Sequence, residues 1–380
     1  MKTRQEIFQE GAWSVLPDQA SIDGSKVQLV LLFGSPAMIA KPEVLDHHRR
    51  QYPSADIVLS STSGEILDSR VYDDTVVATA IALEKTTVKA TVVNLSDTTG
   101  SFNTGERLLQ SLKADDLRLV FVISDGLSVN GSELVAGINS VNERQVIVTG
   151  GLAGDGADFR QTLTGLNSKP VAGQVIGIGF YGSHLKTGNG TVGGWDEFGH
   201  ERVITKSDKN ILYEIDGKSA LELYKTYLGD YINELPGSAL LFPLSLKKDN
   251  TAVPVVRTIL SINEESSSMV FAGNMPEGSR VRFMKASFSN LISGSSQAAA
   301  DSVGGTNENH SGLAILISCI GRKLILNQRT EEEIEAARAV FGKNVAMTGF
   351  YSYGEICPFK SEAYCELHNQ TMTITTISED

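Results

Sequence analysis

Three times in this chain a long apolar run is followed, after a helix-like segment, by a shorter apolar run that breaks into a loop of small residues. The long runs are VQLVLLFGSP from Val27, LRLVFVISDG from Leu117 and LAILISCIGR from Leu313. The shorter partners are ADIVLSSTSGEI at 55–66, QVIVTGGLAGDG at 145–156 and NVAMTGFYSYGEI at 344–356. Apolar, partly β-branched runs bounded by Gly and Ser read as buried strands. Each second run follows the first by about thirty residues, the span of a β-α-β unit. The pattern predicts an α/β protein, with two α/β domains on mixed β-sheets and repeated β-α-β units. Ligands of open α/β sheets gather at the loops beyond the strand carboxyl ends. The working face is therefore expected at loops 61–65, 151–155 and 351–355.

A chain of 380 residues is too long for one small core, and two domains are the natural expectation. Residues 1–25 are polar and read as a peripheral extension. The first domain is expected over 26–224 and the second over 225–380, divided at the amphipathic helix that follows the Asp216-Gly217 turn. TVVATAIALE and KATVVNL alternate and predict an antiparallel extension of the first sheet. Pro42 suits the first turn of a helix, while Ser132 and Thr330 are candidate N-caps.

The net charge of −12 argues against nucleic acid as a partner, because phosphate binding needs clustered Lys and Arg. No run has the roughly 18 apolar residues of a membrane span. The first residues lack a signal-peptide apolar core. The three cysteines, Cys319, Cys357 and Cys365, are no disulfide framework, so the expected compartment is the cytoplasm.

Most catalytic signatures fail on context. Gly177, Gly179 and Gly182 spell G-x-G-x-x-G, but SHLKTGNGTVGG follows, which cannot open the helix a dinucleotide needs. A glycine-rich strand in close packing is the plainer reading. Cys357, Cys365 and His368 offer three metal-type ligands within a dozen residues, yet structural zinc usually takes four. Cys319 reads either as a buried small hydrophobe or as a thiol made acidic by nearby Arg322. Glu65 and Glu355 end matched loops. They could line one cleft and do acid–base work as an enzyme would, or each could accept hydrogen bonds from its own loop. Of six histidines, His47 and His48 fall on a charged helix. His184 and His310 are in polar loops, and His200 lies beside Trp195 and Phe198.

STSGEI (61–66), GGLAGD (150–155), GGWDEFGHERVITKS and YEIDGKSALELYKTYLG resemble the N-terminal FIST domain. SCIGR (318–322), GFYSYGEI (349–356) and ELHNQT (366–371) resemble the C-terminal FIST domain. The likeness runs from about Val27 to the end, departing at His200, where many members carry Pro. It implies a ligand-binding sensory protein rather than an enzyme. Ser61, Thr62, Ser63, Glu65, Gly151, Asp155, Cys319, Arg322, Tyr351, Tyr353, Glu355 and Asn369 are then candidates for the ligand. Bacterial members of this length include haem-binding, nitric-oxide-sensing proteins that regulate a histidine kinase. That comparison nominates His200 and His368 as haem ligands, with Trp195 and Phe198 as an apolar wall. A sensor of amino acids or another small metabolite is the alternative.

Overall fold

A computed structural model describes residues 1–380 apart from 18, 20, 144, 235–236, 249–252, 305–311 and 360–363. All three expected β-α-β units form, and the fold is mixed α/β. In unit 1 the lead strand Leu29–Gly34 pairs in parallel with Asp56–Ser61. In unit 2, Leu117–Ser124 pairs with Ile147–Leu152. In unit 3, Gly312–Cys319 pairs with Val345–Ser352. Each lead strand has an antiparallel neighbour on its other side: Val76–Ala82, Gln174–Tyr181 and Met372–Glu379 respectively.

Side-chain alternation explains why the lead strands are apolar throughout. Leu29, Leu31 and Phe33 point to the same interior as Leu119, Phe121 and Ile123 and as Leu313, Ile315 and Ile317. The intervening residues face outward to helices. Val30 and Leu32 meet Val44 and Leu45, Val120 and Val122 meet Leu134 and Val135, and Ala314 and Leu316 meet Ile334 and Ala337. A strand buried on both faces has no polar side to show.

Each unit then hands its chain to a neighbouring sheet. Beyond the second strand of unit 1, Glu65–Leu67 pairs with the second strand of unit 3. Gly354–Pro358, leaving unit 3, pairs with unit 2. Thr164–Leu166, leaving unit 2, pairs with unit 1. The exchange closes on itself. Strand pairing therefore crosses the boundary expected near residue 225 repeatedly. That position lies in helix Ala220–Leu228, within an inserted layer that has its own core of Leu212, Tyr224, Phe271 and Phe283.

Several local expectations are corrected. Val76–Ala82 and Thr87–Asn94 do not pair with each other; they join the sheets of units 1 and 2. Residues 1–25 are not merely peripheral, since Lys2–Gln9 extends the unit 1 sheet beside Val76–Ala82. Asn130, not Ser132, caps helix Gly131–Ser140 by accepting from Glu133 N, while Ser132 Oγ accepts from Asn274 N. Thr330 is the first residue of its helix, and its hydroxyl donates to Asn327 O. Pro42 does open its helix. Gly177 sits on a strand against Leu108 and Leu112, and the next element after Gly182 is another strand.

A buried ion pair braces the helices of unit 3 against helix Phe288–Ser302. Arg322 and Glu333 are wholly buried. Arg322 Nε and Nη2 donate to Glu333 Oε2 at 3.0 and 2.8 Å, and Nη2 also reaches Leu291 O at 2.8 Å. Ser318 Oγ and Tyr351 OH donate to Glu333 Oε1 at 3.0 and 2.8 Å. Removing one member strands the other charge without water. Arg322→Met is expected to lower unfolding free energy by about 3–5 kcal/mol in urea titrations. A loss under about 1 kcal/mol would show that this network is not dry.

Candidate functional site

The three small-residue loops converge because each must leave one sheet and enter the next. Ser63 N donates to Tyr351 O and Tyr351 N to Gly64 O, both at 2.8 Å. Gly154 N donates to Ser61 O at 3.1 Å, and Ser61 Oγ donates to Gly154 O at 2.7 Å. Tyr353 N donates to Leu152 O at 3.2 Å. This crowding sets the composition. A Cβ on Gly154 would lie 2.2 Å from Ser63 Oγ, and Gly64 has φ 132°.

Glu65 and Glu355 occupy equivalent cages. Each is the first or second residue of its crossover strand and wholly buried. Thr62 Oγ1 donates to Glu65 Oε1 at 2.5 Å; Ser352 Oγ donates to Glu355 Oε1 at 2.6 Å. The other oxygen of Glu65 accepts from Thr75 N and Oγ1 at 3.3 and 2.7 Å. That of Glu355 accepts from Thr371 N and Oγ1 at 3.1 and 2.9 Å. Each threonine follows a residue with positive φ, Asp74 or Gln370. In unit 2 the corresponding ladder position holds Thr164, whose hydroxyl donates to Gln174 O at 3.0 Å. Burial pushes Glu65 up to about 7 and Glu355 up to about 8, against the hydroxyl and amide donors that favour the ionised form.

A cavity of about 540 Å³ opens beside the unit 1 cage. Its walls include Ser35, Thr62, Ser63, Gly64, Glu65, Asp73, Asp74, Asp155, Asp158, Arg160 and Gln161. Asp155 shapes the rim. Its carboxylate accepts from the amides of Phe159, Arg160 and Gln161 at 2.7–2.9 Å and from Tyr353 OH. Phe159 stacks on Tyr353, centroids 4.5 Å apart. Lys323 Nζ donates to Ser63 O at 2.9 Å and pairs with Asp73. A second cavity, of about 530 Å³, lies at the starts of the unit 3 strands by Leu313 and Val345 and touches none of the candidate ligand residues.

Residues 28–218 match the FIST N domain and residues 220–358 the FIST C domain. The chain belongs to the FIST family. FIST domains are sensory domains of signal transduction that bind small ligands. No curated protein is matched. Two solved structures are similar along nearly the whole chain. A chorismatase is 10% identical, with TM-score 0.35, covering 99% of this chain and 98% of its own. A cyanuric acid hydrolase from A. caulinodans is 7% identical, with TM-score 0.37, covering 100% and 99%.

The remaining candidates of this FIST protein scatter. Tyr353 lines a smaller cavity of about 240 Å³ with Leu152 and Phe271. Gly151 is packed against Ile317 and Phe350. Arg322 and Tyr351 belong to the ion-pair network. Cys319 is no acidic thiol: burial and the Glu355 charge push it up, and the Arg322 guanidinium is turned to Glu333. Asn369 is wholly buried, and neither amide atom of its side chain has a partner. Cys357 Sγ accepts from Asn189 Nδ2 at 3.4 Å, while Cys365 Sγ meets Asn139 Oδ1 at 3.3 Å; burial pushes the Cys357 thiol up to about 12. Those thiols and His368 do not gather their ligand atoms on one point.

The residues nominated for haem are also apart. Trp195 Nε1 donates to Gln370 O at 2.9 Å. Phe198 packs among Tyr227, Phe242 and Phe283. His200 is exposed on the same strand. His368 is buried, 2.9 Å from Cys357 O through Nε2, and burial lowers its pKa to about 4. Among the described residues, neither imidazole borders either of the two large cavities. His310 lies outside the described residues. Among described residues, no helix is long and apolar enough to cross a membrane.

Sequence reasoning missed Asp73, Thr75, Arg160 and Lys323. A signal existed: Thr75 and Thr371 each immediately precede an antiparallel strand, as Glu65 and Glu355 each end a matched loop.

The raised carboxyl groups give a pH signature. Folded, Glu65 and Glu355 keep a proton over a range where the unfolded chain, titrating near 4.5, has lost it. Their stabilising contribution is full below pH 4.5 and is lost as pH rises to about 7 and 8. His48 and His368, both lowered to about 4, oppose this only weakly: half protonated when unfolded at pH 6.5 and neutral by 8, together they add back roughly 1 kcal/mol. Unfolding free energy should therefore fall on the order of 2 kcal/mol between pH 6.5 and 8. Glu355→Gln, which mimics the protonated acid, should remove most of that fall. A wild-type curve flat over this range would contradict the assignment.

Proposed function

We propose that this FIST protein senses a small amine-bearing metabolite, such as an amino acid, in the cavity beside Glu65. The observation that carries the reading is the charge of that wall: Glu65, Asp73, Asp74, Asp155 and Asp158 against Arg160. Asp155 is committed to loop amides and Asp73 to Lys323, whereas Asp74, Asp158 and Arg160 are exposed. Asp74 and Asp158 suit an ammonium group, and Arg160 suits a carboxylate by paired donors. A few polar anchors in a cavity of several hundred Å³ are what a small-molecule site needs.

The cavity sits at a joint. Thr62, Ser63 and Glu65 lie where the chain passes from the unit 1 sheet to the unit 3 sheet, so a ligand that grips this turn favours one arrangement of the two. A ligand shifts such an equilibrium only by its differential affinity for the two states. An ammonium group beside Glu65 favours the ionised carboxylate, so binding near neutral pH should release protons. The output partner implied by the family resemblance is a histidine kinase.

Two other readings have less support. A carboxylate pair working as an enzyme needs both acids in one cleft, but Glu355 does not line the cavity that Glu65 lines. The hydroxyls of Thr62 and Ser63 are bonded to Glu65 and to Gly156 O. Ligated haem needs an apolar slot beside its axial histidine; the metabolite reading is preferred because, among the described residues, neither His200 nor His368 borders either of the two large cavities.

Calorimetric titration with amino acids and simple amines tests the proposal. At least one should bind with proton release, detected as a dependence of the heat on buffer ionisation. Arg160→Ala and Asp158→Asn should each weaken it about tenfold, roughly 1.4 kcal/mol. Ligand affinity indifferent to both substitutions would move the site elsewhere. A Soret band lost in His368→Ala would favour haem instead.

A further inference from the structure

Away from the crossover loops, the helix of unit 1 carries two adjacent histidines over a glutamate of the first strand. We propose that Glu6, His47 and His48 form a binding site for a first-row divalent cation, zinc in the first place, with a water or another exogenous ligand completing the shell. The proposal is independent of the metabolite site.

The three side chains converge through geometry that the sequence spacing hides. On Lys2–Gln9, alternation turns Gln5 and Ile7 to the shared interior and sends Glu6 and Phe8 to the helix side. His47 and His48 lie in the last turns of helix Pro42–Gln51, which covers that side. One ligand atom from each of the three groups falls within 4.8 Å of the others. Glu6 Oε2 is 3.4 Å from His47 Nε2 and 4.0 Å from His48 Nε2.

The decisive atom is His48 Nε2. His48 Nδ1 lies 3.0 Å from Val44 O. A carbonyl only accepts, so Nδ1 carries the hydrogen and the neutral ring presents a bare lone pair at Nε2. That nitrogen is buried, on a side chain 1% exposed, and has no hydrogen-bond partner. A carboxylate cannot donate to it, and an unsatisfied buried acceptor costs about 1–3 kcal/mol. Protonating His47 would pair Glu6 yet leave this atom empty. A cation satisfies all three groups together. A backbone carbonyl that fixes the ring tautomer is also the usual outer support of a metal-binding histidine.

The surroundings fit. Arg4 Nε and Gln51 Nε2 donate to Glu6 Oε1 at 2.8 and 3.3 Å, leaving Oε2 turned to the imidazoles. Trp13 stacks on His47 with centroids 5.1 Å apart and meets His48 edge-on at 4.6 Å. Tetrahedral zinc sets its ligand atoms roughly 3.3 Å apart. His47, one-third exposed, is the member with freedom to close that gap, and its open side admits the fourth ligand. Two imidazoles and one carboxylate suit zinc and its neighbours rather than calcium or magnesium. Arg4 is the nearby opposing charge, and its partial exposure lets it swing away.

The test uses the full chain, stripped with chelator and titrated with zinc chloride and, separately, cobalt chloride. One equivalent should bind and raise Tm, and cobalt should give the visible bands of a tetrahedral nitrogen–oxygen site without a thiolate charge-transfer band. His47→Gln and Glu6→Gln should each lower affinity at least about tenfold. His47→Gln is the safer variant for folding, because His48 is in the core. No saturable binding, or a cobalt spectrum unchanged in His47→Gln and Glu6→Gln, would overturn the proposal. A thiolate band would move the metal to the cysteines and overturn it equally.

Discussion

The interior shared by the three lead strands is the constraint on which the rest of this molecule depends. Leu31, Phe121 and Ile315 belong to one apolar centre although they come from three different units. None of the units encloses that centre alone. Each lead strand must therefore be apolar on the inner face, for the centre, and on the outer face, for its helix. The polar work is displaced to the strand ends, where the chain changes sheets. Carboxylates, hydroxyls and glycines meet there because the turns are tight and backbone groups left over from three sheets need partners.

Threefold likeness makes the differences between units informative. Glu65 and Glu355 each have a hydroxyl three residues before and a threonine behind, but of the two large cavities among the described residues, one is lined by Glu65 and neither by Glu355. Thr164 holds the third position with a neutral side chain. The same local construction thus provides an open carboxylate, a closed carboxylate and an uncharged plug. Burial is the main cause that raises both acids, with the Asp73 charge adding to it at Glu65; what differs further is access.

The sequence made the units legible because strands buried on both faces leave long apolar runs, and the small-residue loops after them are just as visible. The crossovers were not legible. Glu65–Leu67 and Thr164–Leu166 have three residues each, too short for a period, and their partners lie far along the chain. The first strand escaped because KTRQEIFQ divides its residues between the shared interior and a helix whose contacts are partly polar. Glu65 and Glu355 were found as a pair, but the reading that each is held by its own hydroxyls needed Thr75 and Thr371, which only pairing places beside them. The sequence placed His47 and His48 only on a charged helix; the strand that packs over His48 begins at Lys2, far back along the chain.

The cyclic exchange of strands bears on how such a chain is made. Glu65 finds its ladder partner Phe350 about 285 residues later, and Gly151 waits for Glu355. A nascent chain that has emerged only as far as the first domain match holds the strands of the whole unit 1 sheet, while the unit 2 sheet lacks its two closing strands and Glu65–Leu67 lacks its partner. Unpaired edges of that kind are sticky. Synthesis and folding are thus coupled to the last unit, and the two family segments, separable in sequence, mature together.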